Sequence, residues 1–153
     1  MKKCGIIQSI YGGFRMEEEN KRHHLSMIQD IISRMGNNSL SLKEWTITLV
    51  VSIYAFVGTD SQKAVIITMM LIMIFWLLDA YYLMQERMFR ALYDKVRKQR
   101  EEDIDFDMNF NSISINLLAS KKYCFINALL SKTVASFYVG CVITAIVIYF
   151  IRF

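Results

Sequence analysis

Residues 64–78 read AVIITMMLIMIFWLL, an uncharged run of 15 residues that lies between Lys63 and Asp79. Two further uncharged runs lie on either side of it along the chain. The first covers residues 45–59, and the second covers the 19 residues 133–151. Long apolar runs that contain no charge are typical of helices that cross a membrane. We therefore predict three membrane-spanning helices.

The two shorter runs need flanking residues to cross a bilayer. A helix rises 1.5 Å per residue, so 15 residues cover about 22 Å, whereas the hydrocarbon core is ~30 Å thick. Such segments are either buried helices of a water-soluble fold or spans that extend to about residues 40–59 and 64–84. We favour the second interpretation, although it places Lys43, Glu44 and Asp79 at or inside the membrane boundary, where ionisable groups are costly.

The overall composition agrees with a helical membrane protein. The chain has 153 residues, of which 54% are hydrophobic and 21% are charged, and it contains no proline. Its mean hydropathy is +0.30. Few charges and few helix breakers argue against a long disordered chain and against an all-β sandwich rich in tight turns. We predict an all-α membrane protein with an antiparallel transmembrane hairpin, cytoplasmic helical extensions and a third, C-terminal transmembrane helix.

A short polar turn at residues 60–62 makes the first two predicted spans antiparallel. Residues almost equally far from this turn then lie at a similar depth. Lys43 and Asp79 meet this condition, so each can neutralise a charge that would be costly alone. The same register places Arg34 level with Glu86 or Arg87, and Asp30 level with Arg90. We therefore expect three pairs of opposite charge along the hairpin.

Lysine and arginine residues set the predicted orientation in the membrane. Seven of them lie in residues 1–43 and nine lie in residues 84–132, whereas the turn and the C-terminal end carry one each. Basic connecting segments stay in the cytoplasm. We therefore expect the N-terminus in the cytoplasm and the C-terminus in the periplasm or outside the cell.

This topology divides the chain into four regions. We predict an N-terminal extension at residues 1–15, a hairpin with a cytoplasmic stalk at 16–100, an acidic loop with an interfacial helix at 101–131, and the third span at 132–153. Within the stalk, apolar residues recur at steps of three and four, as in Leu25, Ile28 and Ile32. Because this spacing places them on one helix face, the two extensions are expected to pack together.

Asp79 is the leading candidate for a functional residue, because an ionisable group inside a membrane helix commonly serves an ion or substrate pathway. One interpretation is a purely structural pair with Lys43, supported by Arg34, Glu86 and Arg90 as charges that fix the hairpin. The other is a water-filled path through an oligomer. That path would be lined by the pair or by an adjacent polar stripe, which comprises Asn38, Ser41, Thr48 and Ser52.

No motif of an enzyme or of a metal site is recognisable in the sequence. His23 and His24 are adjacent, so on a helix they point about 100° apart and cannot chelate one ion together; we expect both at the surface. No HExxH motif and no phosphate-binding glycine loop is present. The basic residues of 87–100 are followed by five acidic residues within 101–107, which weakens any attraction for nucleic acid. We expect no enzymatic activity, no cofactor and no metal, and the lipid bilayer as the main partner.

Several short motifs lie between residues 25 and 97, among them Met27-Ile28-Gln29, Phe75-Trp76, Leu78-Asp79-Ala80-Tyr81-Tyr82-Leu83, Glu86-Arg87 and Phe89-Arg90. These motifs resemble a family of small, mostly uncharacterised bacterial multi-pass membrane proteins. Such proteins are associated with antiphage systems in which a compact membrane protein is the effector. The resemblance implies an inner-membrane location and pore formation or membrane disruption, and it transfers no catalytic residues.

Together these observations predict a membrane protein that self-associates and permeabilises or depolarises the membrane when triggered. A three-pass chain is too small to enclose a conduit by itself, so this function requires a homo-oligomer. The alternative is a non-conducting scaffold or anchor, whose cytoplasmic stalk docks a soluble partner.

Overall fold

The computed structural model describes residues 2–57, 62–100, 108 and 124–152, and the side chains of residues 2–18, 57 and 152 lie outside this description. The described residues form four helices and no strand. We number these helices in chain order as α1 Lys2–Val57, α2 Gln62–Lys98, α3 Phe125–Leu129 and α4 Lys132–Arg152. The all-helical class that the composition predicts is therefore confirmed.

Helix α1 is longer than the sequence predicts. The pattern predicts a helix from residue 16 after a separate extension, but α1 runs unbroken from Lys2 for 56 residues, which corresponds to about 84 Å. No proline interrupts it, and a glycine inside a helix costs only about 1 kcal/mol. Helical structure therefore continues through the predicted boundary between residues 15 and 16.

Helices α1 and α2 lie side by side and run in opposite directions. The Nζ atom of Lys21 donates to the Gln99 carbonyl oxygen at 2.7 Å. Further along α1, the Nζ atom of Lys43 lies 2.6 Å from the Oδ2 atom of Asp79. Residue numbers thus rise along α1 while those of their partners fall along α2, which requires an antiparallel pair.

Helices α1 and α2 share an apolar core at residues 25–32 of α1 and 89–96 of α2. We call it the stalk core. Ile28 and Ile32 of α1 are buried against Ala91, Leu92 and Val96 of α2. Partly buried residues that pack around the stalk core are Leu25, Phe89, Tyr93 and Met108. Because Ile28 and Ile32 lie one helical turn apart, they face α2 together, as their spacing predicts.

A second apolar cluster joins α4 to α2. Its buried members are Ile72 of α2 with Val134 and Tyr138 of α4. The ring of Trp76 stacks on the ring of Tyr138, with centroids 6.1 Å apart and planes inclined by 10°. A stacked aromatic pair contributes roughly 0.5–1.5 kcal/mol beyond the area that it buries. This pair therefore helps to fix the position of α4 against α2.

Two side chains of α2 hold the short helix α3. The Nε1 atom of Trp76 donates to the Leu129 carbonyl oxygen at 3.1 Å. The guanidinium group of Arg87 donates to the Asn127 carbonyl oxygen at 3.3 Å and to the Ser131 hydroxyl group at 3.1 Å. A helix of five residues has too few internal hydrogen bonds to be stable alone. These contacts with α2 therefore determine where α3 lies.

Two of the described helices are long and apolar enough to cross a membrane, Gln62–Lys98 and Lys132–Ile151. Only 28% and 17% of their most apolar segments are buried inside the chain, so most of this apolar surface faces outward. Over its described residues, α1 does not meet the same criterion. The apolar run at 45–59 ends in residues that lie outside the described part of the chain. Two of the three predicted spans therefore correspond to helices of sufficient length and composition.

Some predicted features lie outside the described residues. These are most of the polar turn at 60–62, the acidic residues 101–107, and residues 113–123, which begin the interfacial helix predicted at 113–131. Residues 124–131 of the predicted interfacial segment are described. They contain the five-residue helix α3, followed by a turn at Leu130.

Candidate functional site

The candidate site is centred on an ion pair between α1 and α2. The Nζ atom of Lys43 lies 2.6 Å from the Oδ2 atom of Asp79, and the side chain of Asp79 is fully buried whereas that of Lys43 is 19% exposed. The structure therefore brings together the two charges that the antiparallel register places at one depth. Both residues flank the apolar parts of their helices.

Ser39 completes the pair, and sequence reasoning missed it. Its hydroxyl group donates to the Oδ1 atom of Asp79 and accepts a hydrogen bond from the Nζ atom of Lys43 at 2.8 Å. The same Nζ atom also donates to the Ser39 carbonyl oxygen at 3.3 Å. Ser39 lies four residues before Lys43, which places both on one helix face. That spacing is the signal that could have identified it.

Helix α4 brings a third polar element to the ion pair. The buried hydroxyl group of Tyr138 lies near Asp79 and Thr46, but it forms no hydrogen bond of normal geometry with any described residue. Thr46 is also fully buried, and its hydroxyl group donates to the Leu42 carbonyl oxygen at 2.7 Å. We call Ser39, Lys43, Thr46, Asp79 and Tyr138 the junction cluster, because its members come from all three long helices.

The junction cluster is sensitive to the loss of any one charged partner. Moving a carboxylate out of water costs several kcal/mol, and a close ion pair with additional hydrogen bonds offsets that cost. The Asp79 carboxylate has Lys43 at one oxygen and Ser39 at the other. Removal of one partner from such a pair typically costs about 3–5 kcal/mol. The cluster therefore fixes which faces of α1 and α2 meet.

The short distance between Ser39 and Lys43 also invites comparison with a serine nucleophile and its lysine base. A base must carry a free lone pair. Here the Lys43 ammonium donates to Ser39 and is paired with Asp79, so its nitrogen faces Ser39 as a donor. The arrangement therefore does not match a serine nucleophile with its lysine base. No group of three or more metal-ligating side chains occurs within the described residues.

The predicted charge pairs nearer the stalk are arranged differently. Glu86 and Arg90 pair with each other on α2, with an Oε1 to Nη2 distance of 2.7 Å. Arg34 and Asp30 are exposed, and no ion pair joins either to α2 in the described part of the chain. Pairing Arg34 with Glu86, and Asp30 with Arg90, is therefore wrong. Residues four apart on one helix are neighbours on its surface, whatever the register between the two helices.

The predicted polar stripe does not enclose a path within one chain. Asn38, Ser41 and Thr48 are exposed and Ser52 is partly buried. The hydroxyl group of Thr48 donates to the Glu44 carbonyl oxygen at 2.9 Å, and that of Ser52 donates to the Thr48 carbonyl oxygen at 2.7 Å. Such bonds satisfy hydroxyl groups within their own helix.

The two adjacent histidines differ in their environment. His23 is exposed as predicted, but His24 is only 1% exposed, so the prediction of two surface histidines is wrong for His24. It lies four residues before Ile28 and therefore on the face of α1 that forms the stalk core. The helical period that identifies Ile28 as a core residue applies equally to His24.

An apolar groove of about 600 Å³ separates α1 from α4. Ile47, Val50, Val51 and Tyr54 line it on the α1 side, and residues between 137 and 151 line it on the α4 side. Gly140 contributes to this wall, and apart from its chain neighbours and the adjacent backbone of α4, no described atom lies within 4 Å of the position that a Cβ atom would occupy there. Sequence periodicity did not predict the groove, because it depends on the distance between two helices that both pack on α2.

These features define an all-helical protein with two helices able to cross a membrane and a buried ion pair between its helices. No known protein family matches the chain, and no match was found among curated proteins or solved structures. The resemblance to small bacterial multi-pass membrane proteins, which rests on motifs within residues 25–97, therefore stays a prediction.

Proposed function

We propose that the protein is an integral membrane protein of the bacterial inner membrane, with three crossings at about residues 40–59, 64–84 and 132–153. Its N-terminus and stalk lie in the cytoplasm, and its C-terminus lies on the other side. The positive-inside distribution of lysine and arginine supports this orientation.

The exposed surface of α2 and α4 supports insertion into lipid. Large apolar side chains such as Ile66, Met70 and Ile74 are 56%, 64% and 55% exposed, and Phe150 of α4 is 76% exposed. Contiguous apolar surface of this kind is unstable in water and is typical of surface that faces lipid or another protein. A lipid bilayer would cover the apolar surfaces of both α2 and α4.

The junction cluster supports a first crossing by α1. Extension of that span to about residue 40 brings Lys43 to the membrane boundary, where a lone ammonium group would be costly. Its pairing with Asp79 and Ser39 offsets that cost. Ile47, Val51 and Phe56 follow on α1 with exposed fractions of 51%, 61% and 91%, which favours lipid around this segment too.

We further propose that the chain self-associates and permeabilises or depolarises the membrane when triggered, as an effector of antiphage defence. The observation that carries this function is the fully buried Asp79 between otherwise apolar helices. An ionisable residue at such a place is a functional candidate by default. Three helices do not enclose a pore, so assembly of several copies is part of the proposal.

Inducible expression with a voltage-sensitive dye tests this function. We expect depolarisation during phage infection or strong expression, and we expect its loss in Asp79→Asn at equal membrane abundance. Asp94→Asn is the matched control, because Asp94 is 61% exposed and pairs with Arg97 on the surface of the same helix. An unchanged membrane potential both during phage infection and at strong expression of the wild-type protein would refute the effector function.

A second candidate is a non-conducting scaffold whose stalk docks a soluble partner. It is favoured by the surface of the stalk, where Arg22, Asp30, Arg34 and Arg97 are exposed around a closed apolar core. Charged surfaces of this kind suit transient protein contacts. Cross-linking from cysteines placed at positions 30 and 97 in cells with an unchanged potential would support the scaffold and oppose the effector.

A further inference from the structure

Helix α1 carries a row of polar side chains inside its proposed membrane span, on the face that points away from α2. The row has steps of three and four residues and consists of Ser41, Glu44, Thr48 and Ser52. Such spacing places side chains on one side of a helix, and we call this row the outer stripe. Lys43, which pairs with Asp79, lies about 200° around the helix from Ser41. The ion pair therefore turns the outer stripe away from the rest of the chain.

Glu44 is the only ionisable member of the outer stripe, and its carboxylate lacks a partner. Ser41, Glu44 and Thr48 are exposed, whereas Ser52 is partly buried. The hydroxyl groups of Thr48 and Ser52 donate to carbonyl oxygens one turn earlier in α1. The Glu44 side chain, in contrast, forms no hydrogen bond or ion pair with any residue that the structure describes.

Lipid is an unfavourable environment for this carboxylate. In a span that begins at about residue 40, Glu44 lies at or inside the membrane boundary, where an uncompensated charge is costly. Lys43 offsets that cost through Asp79, but Glu44 has no such partner within the described chain. Water therefore has to reach it. The self-association given under Proposed function supplies this water, because copies that turn their outer stripes toward one another enclose a polar path.

The surroundings of the outer stripe suit such an arrangement. Val51 on one side of it is 61% exposed, and Trp45 on the other side is 59% exposed, so apolar side chains are free to pack against neighbouring copies. The short hydroxyl side chains of the stripe leave space for water between the helices. One Glu44 from each copy forms a ring of carboxylates at the cytoplasmic end of this path. Rings of this kind attract cations and repel anions.

We propose that the outer stripe lines the ion path of the oligomer and that Glu44 makes this path selective for small inorganic cations such as K⁺. The inference rests on the proposed function, which it deepens by naming the class of ion that depolarises the membrane.

Currents through planar bilayers of palmitoyl-oleoyl phosphatidylcholine, which has no net charge, test the proposal. The full chain is reconstituted between KCl solutions that differ tenfold in concentration, and the reversal potential gives the permeability ratio of K⁺ to Cl⁻. We expect a ratio of about ten or more for the wild type. Glu44→Gln is expected to lower it to about one, and Glu44→Asp, which keeps the charge, should retain the preference for K⁺. Glu19→Gln is the matched control, because Glu19 is exposed on the same helix but lies about 37 Å away in the stalk.

Cysteine labelling tests the lining of the path independently of Glu44. In a chain whose three native cysteines are replaced by alanine, Thr48→Cys is expected to react with a positively charged methanethiosulfonate reagent and to lose most of its K⁺ current. Ile74→Cys is the control. Thr48 lies five residues after Lys43 and Ile74 five residues before Asp79, so both are at one depth, but Ile74 is 55% exposed on α2. Labelling there should leave the current unchanged.

The outcomes separate this inference from the proposed function. A wild-type current with a permeability ratio near one overturns the cation path alone, and so does a ratio that Glu44→Gln leaves unchanged. Thr48→Cys chains that form disulfide-linked pairs and resist labelling would assign the outer stripe to a closed contact between copies, which also overturns it. Wild-type chains that carry no current, in cells whose membrane potential is unchanged, refute the proposed function and this inference with it.

Discussion

Lys43 and Asp79 meet with 2.6 Å between the Nζ and Oδ2 atoms, although 36 positions separate them in the sequence. The contact lies where the apolar part of α1 begins and the apolar part of α2 ends. Two helices that present smooth apolar faces could slide or rotate against each other at little cost. One buried ion pair with Ser39 at its side permits a single register, since any shift leaves two charges unpaired.

Asp79→Ala is expected to destabilise the protein by about 3–5 kcal/mol, because Lys43 then stays near the apolar interior without its partner. Thermal unfolding in detergent should show a midpoint lower by about 10 °C. The charge-swapped variant Lys43→Asp/Asp79→Lys is expected to recover part of the loss. An unfolding midpoint for Asp79→Ala equal to that of the wild type would contradict a stabilising role for the pair.

Ser39→Ala removes the hydroxyl group that bridges Lys43 and Asp79. Hydrogen bonds to charged groups contribute about 1.5–3 kcal/mol, so we expect a loss in that range in the same unfolding assay. Ser41→Ala is the control, since Ser41 is exposed two positions away and such surface changes stay within about 0.5 kcal/mol. Equal effects of the two substitutions would speak against the bridging geometry.

Trp76→Phe keeps an aromatic ring on Tyr138 but removes the Nε1–H donor to the Leu129 carbonyl oxygen. We expect α3 to open more often, with backbone amide hydrogen exchange in Phe125–Leu129 faster by about five- to tenfold. Trp45→Phe provides the comparison, because Trp45 is 59% exposed. Unchanged exchange in α3 would mean that Arg87 alone is sufficient to hold it.

Leu92→Ala creates a cavity in the stalk core, where Leu92 is 1% exposed. Such substitutions cost about 2–5 kcal/mol, and we expect tryptic cleavage at Arg22 and Arg34 to become faster as the two helices separate. Met27→Ala is the control, because Met27 is 40% exposed on the other face of α1. If both variants are cleaved at the wild-type rate, the stalk does not depend on this core for its integrity.

Several features of the protein could be predicted from the sequence because they are local or one-dimensional. Helical class follows from apolar runs, helical spacing and the absence of proline. The depth of Lys43 and Asp79 follows from their nearly equal distance from one turn, because each residue of a helix adds a fixed rise. The stalk core contacts of Ile28 and Ile32 follow from the helical period.

Only the tertiary structure decided how these helices are rotated and how far apart they lie. Rotation of α1 brings Ser39 and Thr46 to Asp79 and buries His24, while Glu86 pairs along its own helix with Arg90. The position of α4 places Tyr138 at the ion pair and leaves a groove beside Tyr54. Sequence spacing fixes the rise and the relative angle of residues along one helix, but the rotation and separation of neighbouring helices depend on the packing of all their side chains at once.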